Sequence, residues 1–119
     1  MIMLYLKSKL HRAKVTHSDI NYEGSLGIDE DLMKAAGMRE YERVEIYNVT
    51  NGERFTTYLI KEAPGSGKIG VYGAAAHKAR EGDIIIITSY CHLSEEEVDF
   101  HLPKIVLLDE KNRVKMIKN

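Results

Sequence analysis

The stretch "RVEIYNVTNGERFTTYLI", residues 43 to 60, sets Asn51-Gly52 between two runs rich in β-branched and aromatic residues. Asn and Gly both accept the left-handed conformations of tight turns, so the pair predicts a hairpin of antiparallel strands. The rest of the chain repeats the theme. Residues 2 to 16 mix apolar and basic residues in a long extended segment, and "PGSG" (64 to 67) marks a turn before "KIGVY". "DIIIITSY" (83 to 90) is a continuous apolar run, as in a strand covered on both faces or closed in a barrel. "KIVLLDE" and "RVKMI", joined around Lys111-Asn112, read as a terminal hairpin.

Helical signals are few. "IDEDLMKAAG" (28 to 37) has Asp29 as N-cap, acids in its first turn and Gly37 as its stop. "GAAAHKAREG" (73 to 82) reads as a second short helix ending at Gly82, and "SEEEVDF" (94 to 100) opens on a capping box of Ser94 and Glu97. Many short strands with closely spaced turns predict a mainly β chain forming a small barrel with short helices. Periodicity does not choose its topology.

At 119 residues the chain is the size of one compact domain. Its 17 basic and 18 acidic residues leave a net charge of −1, with no electrostatic footprint for nucleic acid or an anionic membrane. Cys91 is the one cysteine, so no disulfide can form within the chain, and a reducing compartment is expected. "MIMLYLKSKLHR" lacks the basic start and cleavage site of a signal peptide, and its apolar run is far short of the ~20 residues of a membrane span. The location expected is cytoplasmic. "EAPGSGKI" (62 to 69) imitates a phosphate-binding loop, but Glu62 stands at the first glycine and Ile69 at the magnesium-ligating hydroxyl. The five histidines are dispersed without metal-ligand spacing, so no metal is expected.

"NYEGSLGI" (21 to 28) raises a sharper question: whether Gly24-Ser25 is a turn or a bond meant to break. With "KLHRAKVTHSDINYEGSLGID", "NVTNGERFTTYLI", "GAAAHKAREGDIIIITSY" and "EEE" in order, the chain from about Lys7 to Glu97 closely resembles the pyruvoyl-dependent aspartate 1-decarboxylase family. The resemblance implies a double-psi β-barrel that assembles as a homotetramer. It implies conversion of L-aspartate to β-alanine for pantothenate and coenzyme A synthesis. It also implies an inactive proenzyme that cuts itself between Gly24 and Ser25, giving a β-chain of 1 to 24 and an α-chain of 25 to 119.

A serine hydroxyl can attack the preceding carbonyl and turn the amide into an ester, provided the fold holds it in position. Elimination then leaves dehydroalanine at 25, and hydrolysis yields a covalent pyruvoyl group. That group would serve as the electron sink, through a Schiff base with the substrate amine.

The resemblance assigns further roles by position. Lys9 and Arg54 match the carboxylate partners, Arg54 being suited to a bidentate clamp. Tyr58 matches the proton donor. Thr57 matches the residue that hydrogen-bonds the cleavage-site carbonyl and later contacts substrate. Gly73, Ala74 and Ala75 match a substrate-binding backbone at a helix start, and His11 and Tyr22 match positions lining the site. Alternation puts Arg54 and Tyr58 on one face of a strand and Thr57 on the other, so a bulge or a subunit interface is expected to reconcile them.

Tyr72 departs from the pattern, because relatives usually carry asparagine there, with its amide near the processing site. On that ground Tyr72→Asn is expected to preserve or hasten cleavage. A maturation activator is left open as a further partner. The competing reading is a non-catalytic or unprocessed oligomeric barrel of the same ancestry that binds a small acid or a partner protein.

Overall fold

A computed structural model describes all residues from 1 to 119. The strands are β1 (Ile2–Lys14), β2 (His17–Asp19), β3 (Ser25–Asp29), β4 (Arg43–Asn48), β5 (Arg54–Glu62), β6 (Ile69–Tyr72), β7 (Ile84–Ser94), β8 (Lys104–Leu108) and β9 (Val114–Lys118). Two short helices, α1 (Glu30–Ala36) and α2 (Glu95–Val98), and a 3-10 turn (Gly73–His77) complete the chain.

The strands follow the order β2-β6-β3-β5-β4-β7-β1-β8-β9. β1 and β2 are nearly one course of chain, interrupted at Val15 and Thr16. β1 pairs with β7, β2 pairs with β6, and the Thr16 N–H donates to the Ile69 carbonyl at 2.8 Å. The two sides of the sheet therefore meet along that single course, and it closes as a small mixed barrel. β8 and β9 form the expected terminal hairpin, attached to β1 through a parallel pairing with β8. The β4–β5 hairpin holds its register from Arg43–Tyr58 to Tyr47–Arg54, with Asn51-Gly52 in the connection.

Closure gives most of the strands an inner face, while β9 is exposed along its whole length. Leu10, Leu26, Ile28, Ile46, Leu59, Ile69, Ile85, Ile87 and Val106 are all at 0% exposure, and they come from seven strands that share one core. Burial of this kind is the main favourable term for a chain of this size. α1 covers one end through Leu32, Met33 and Ala36. It begins as expected, with the Asp29 carboxylate accepting from the Asp31 N–H, and stops at Gly37. α2 carries the full capping box of Ser94 and Glu97.

Two expectations need correction. The second helix is only the 3-10 turn Gly73–His77, not ten residues to Gly82. Tertiary partners take the carbonyls that would have carried it on: the Asn48 and Asn51 side-chain amides each donate to the Lys78 carbonyl at 3.0 Å, and the Ser18 hydroxyl donates to that of Ala79 at 2.9 Å. The other concerns the lead-in to α1: Ile28, at the head of the stretch 28 to 37, and the N-cap Asp29 both belong to β3, and the helix proper begins at Glu30, where the expected cap puts it.

Candidate active site

Ser25 is the first residue of β3 and is 3% exposed, while Gly24 just before it is exposed. The bond between them thus crosses from an open loop into the barrel wall. On one side, Ser25 pairs across the sheet with Tyr72, the last residue of β6. Gly73 follows at φ +67°, with its backbone laid against the loop: a Cβ there would stand 2.6 Å from the Gly24 Cα and 2.8 Å from its nitrogen. Any side chain at 73 would push Gly24 away, so the residue is glycine for two reasons, conformation and contact.

On the other side, β3 first pairs with β5 at Leu26–Leu59. Ahead of Leu59 no strand lies on that edge of β5. The gap is a cavity of about 380 Å³ lined by Gly24, Ser25, Phe55, Thr56, Thr57, Tyr58, Tyr72, Ala74, Ala75 and Lys78. Thr57 and Tyr58 therefore both reach it without a bulge, since β5 keeps unbroken register with β4. An unpaired strand edge is open to residues from either face.

The structure thus brings Gly24, Ser25, Thr57, Tyr58, Tyr72, Ala74 and Ala75 together, with Gly73 against Gly24 and Tyr22 stacked on Tyr72 at 5.0 Å between ring centroids. Lys9, His11 and Arg54 do not line the cavity of a single chain. Arg54 lies over the Tyr47 ring at 4.6 Å, and the Tyr47 and Tyr90 hydroxyls share a 2.7 Å hydrogen bond. Lys9 and His11 sit on β1, opposite Ile105 and Leu107 of β8. Burial, with help from Lys9, Arg12 and Lys118, holds the His11 imidazole below its usual pKa, and its Nδ1 is buried without a partner.

Lys78 is the cation that sequence reasoning missed. It lines the cavity and pairs with Glu53 at 2.8 Å. Its relevance depends on the short turn that brings it there, which no local pattern announces.

The imitation phosphate loop has a different job. The Gly65 and Gly67 N–H groups both donate to the Asp29 carboxylate at 2.9 Å, so the amides of this loop already hold an anion from the chain itself. No three His, Cys, Asp or Glu side chains gather as a metal-holding group, and no helix is long and apolar enough to cross a membrane.

Comparison with known proteins gives a consistent result. A family model described as aspartate decarboxylase matches residues 1–115. The aspartate 1-decarboxylase of Bordetella avium (strain 197N) is 60% identical over 118 residues, covering 99% of this chain and 97% of the relative. That of Ralstonia pickettii (strain 12J) is 59% identical over 113 residues, covering 95% and 94%. That of Cupriavidus necator (strain H16) is 53% identical over 118 residues, covering 99% and 98%.

Proposed function

The chain belongs to the aspartate decarboxylase family and decarboxylates aspartate, and on that premise we propose that it first cuts itself between Gly24 and Ser25. The observation that carries this is the placement of that bond: a buried serine preceded by an exposed glycine, pressed by Gly73 on one side and open to Thr57 and Tyr58 on the other.

The Ser25 hydroxyl adds to the Gly24 carbonyl carbon, and the Ser25 nitrogen leaves as an amine, so an ester replaces the amide. Thr57 lines the same cavity, and on this reading its hydroxyl donates to the carbonyl oxygen as charge gathers on it. Loss of the Ser25 α-proton then expels the Gly24 carboxylate and leaves dehydroalanine. One water replaces its nitrogen, which departs as ammonia, and the α-chain from 25 to 119 begins with a pyruvoyl group.

The site fits that group in its own terms. Residue 25 begins β3 in register with Tyr72, and the small side chains of Ala74 and Ala75 line the space beside it. When present, the group supplies a ketone for the aspartate amine and a sink for the electron pair freed as the α-carboxylate leaves. Tyr58 faces the same space, and its neutral phenol returns a proton to the substrate carbon. The product is β-alanine, which feeds pantothenate and coenzyme A synthesis in the cytoplasm.

Lys9 and Arg54, expected to hold the substrate carboxylates, stand outside the cavity of one chain. A homotetramer in which neighbouring copies lend them, with His11, to the Ser25 cavity completes the site.

Intact-mass measurement tests the reading. Purified protein should resolve into fragments 1 to 24 and 25 to 119, and borohydride with aspartate should label the peptide that begins at 25. Ser25→Ala should remain one full-length chain with no β-alanine production. Persistent activity in that variant would overturn the proposal.

A further inference from the structure

Gly27 and Gly70 are direct partners across β3 and β6, and together they leave a strip of bare backbone on the sheet. A Cβ on Gly27 would overlap the Glu62 carboxylate, and one on Gly70 would overlap the Tyr72 phenol ring. The two side chains lie in that strip and meet there: the Tyr72 hydroxyl donates to Glu62 Oε2 at 2.7 Å. Lys68 Nζ stands 3.5 Å from the other oxygen. Tyr72 is 7% exposed, and the Glu62 side chain is 15% exposed. Burial first, and the Glu62 carboxylate second, hold the phenol proton well above its ordinary range.

From this position Tyr72 touches both sides of the Gly24–Ser25 bond. Its ring packs on Tyr22, two residues ahead of Gly24. Its backbone is the register partner of Ser25. Besides this ring, the loop is held by the Asp19 turn, whose carboxylate accepts from the Asn21 N–H at 2.9 Å, and by the Gly73 backbone against Gly24, while residues 20 to 24 are all exposed and Tyr22 is 62% exposed. An intramolecular attack depends on how often the reacting atoms stand in line, so a ring that restrains the loop acts on the rate.

We infer that Tyr72, locked by Glu62 over Gly27 and Gly70, is a positioning residue for self-cleavage, holding the Tyr22–Gly24 loop where Ser25 can attack it. This rests on the self-processing reading above. The Tyr72 hydroxyl is engaged by Glu62, so the residue acts through its ring and backbone. Asparagine at 72 is too short to reach Glu62 or to stack on Tyr22. Tyr72→Asn therefore slows cleavage in this chain, the reverse of what the family's asparagine suggested.

The test follows unprocessed full-length precursor by intact mass, well below the melting midpoint of every variant. Tyr72→Phe keeps the ring and loses the lock, and Glu62→Ala loses the same lock from the other side. Each should form the 25–119 fragment about three- to tenfold more slowly than wild type. The double variant should be no slower than either single one, because both remove one bond. Glu62→Gln, whose amide oxygen still accepts from the phenol, should retain most of the rate, and Tyr72→Asn should be slower than Tyr72→Phe. Wild-type rates in both single variants would overturn the inference. So would multiplying effects in the double variant, or slowing that vanishes on cooling, since that marks mere loss of stability. A wild-type precursor that never divides at 24/25 would instead overturn the self-processing reading.

Discussion

Glu42 shows how a single residue in this barrel is tied to its surroundings. Ser89, itself at 0% exposure, donates its hydroxyl to Glu42 Oε2, Lys7 Nζ binds the same oxygen at 2.9 Å, and the Arg39 N–H donates to Oε1 at 2.9 Å. Burial works to raise the carboxyl pKa, but the bonds from Ser89, Lys7 and Arg39 together outweigh it and hold the group below its ordinary 4.5. A carboxylate depressed by folding adds stability above its unfolded pKa and loses it as pH falls through the folded one. Glu42→Gln should therefore cost about 1–2 kcal/mol near neutral pH, with the loss shrinking toward zero as pH falls below 4.5 and through the lowered folded-state pKa. Urea denaturation across that range measures both. A pH-independent difference would show that the charge is not what matters there. Residues of this kind were invisible in the sequence, since "YERV" gives no hint that Glu42 meets Ser89 forty-seven positions on. That Gly24-Ser25, Thr57 and Tyr58 gather at one cavity was legible, because all four lie in stretches that carry the family resemblance. Glu62 and Lys78 were not, because their meaning comes only from which strand or turn lies beside them.

Among the elements, the strands that were read correctly carry their own signal. β4 and β5 alternate around an Asn-Gly turn, and β7 opens on four consecutive isoleucines, Ile84 to Ile87. β3 carries no such signal, although it begins at Ser25, where the proposed cut falls. "SLGID" is five residues long, every one of them buried, and its partners on both sides lie at least 30 residues further along the chain. Its strand character comes from tertiary pairing, which period alone does not reveal. The overestimated second helix has the same cause in reverse, for local propensity favoured more helix than the packing allows. Asn48 is the residue that decides the matter. At 3% exposure, it donates to the Lys78 carbonyl and to Asp83 Oδ2, and its side-chain oxygen accepts from the Thr50 N–H at 2.9 Å. Asn48→Ala leaves the Thr50 N–H without its acceptor and takes one of two donors from both the Lys78 carbonyl and Asp83 Oδ2, and should lower unfolding stability by about 1–3 kcal/mol, read as a shift in the urea midpoint. Asn51→Ala removes only one exposed bond to the same carbonyl, together with the acceptor for the Glu53 N–H, and should cost less. If the two substitutions proved equal, the buried network around Asn48 would not be what limits the turn.

On the scale of the whole molecule, the distribution of expected site residues makes a quantitative demand on assembly. Ser25, Thr57 and Tyr58 meet in the cavity of one chain, while Lys9 and His11 lie on β1 where it faces β8. If a neighbouring copy lends Lys9 to the Ser25 cavity, two inactive variants can repair one another. On the proposed reading, Ser25→Ala would lack the reactive residue but keep Lys9, and Lys9→Ala would process itself but lack a partner for a substrate carboxylate. Each should be nearly inactive alone. In a randomly mixed tetramer, a site works when the copy carrying Ser25 is intact there and its neighbour is intact at Lys9. Equal mixing satisfies both conditions at about one site in four, so co-expressed variants should recover about a quarter of wild-type turnover. A site built from one chain alone predicts none, because every copy would carry one of the two lesions. Measured β-alanine formation in co-purified mixtures, against the same proteins mixed only after assembly, decides between these arrangements, and the control should stay inactive as long as subunits do not exchange.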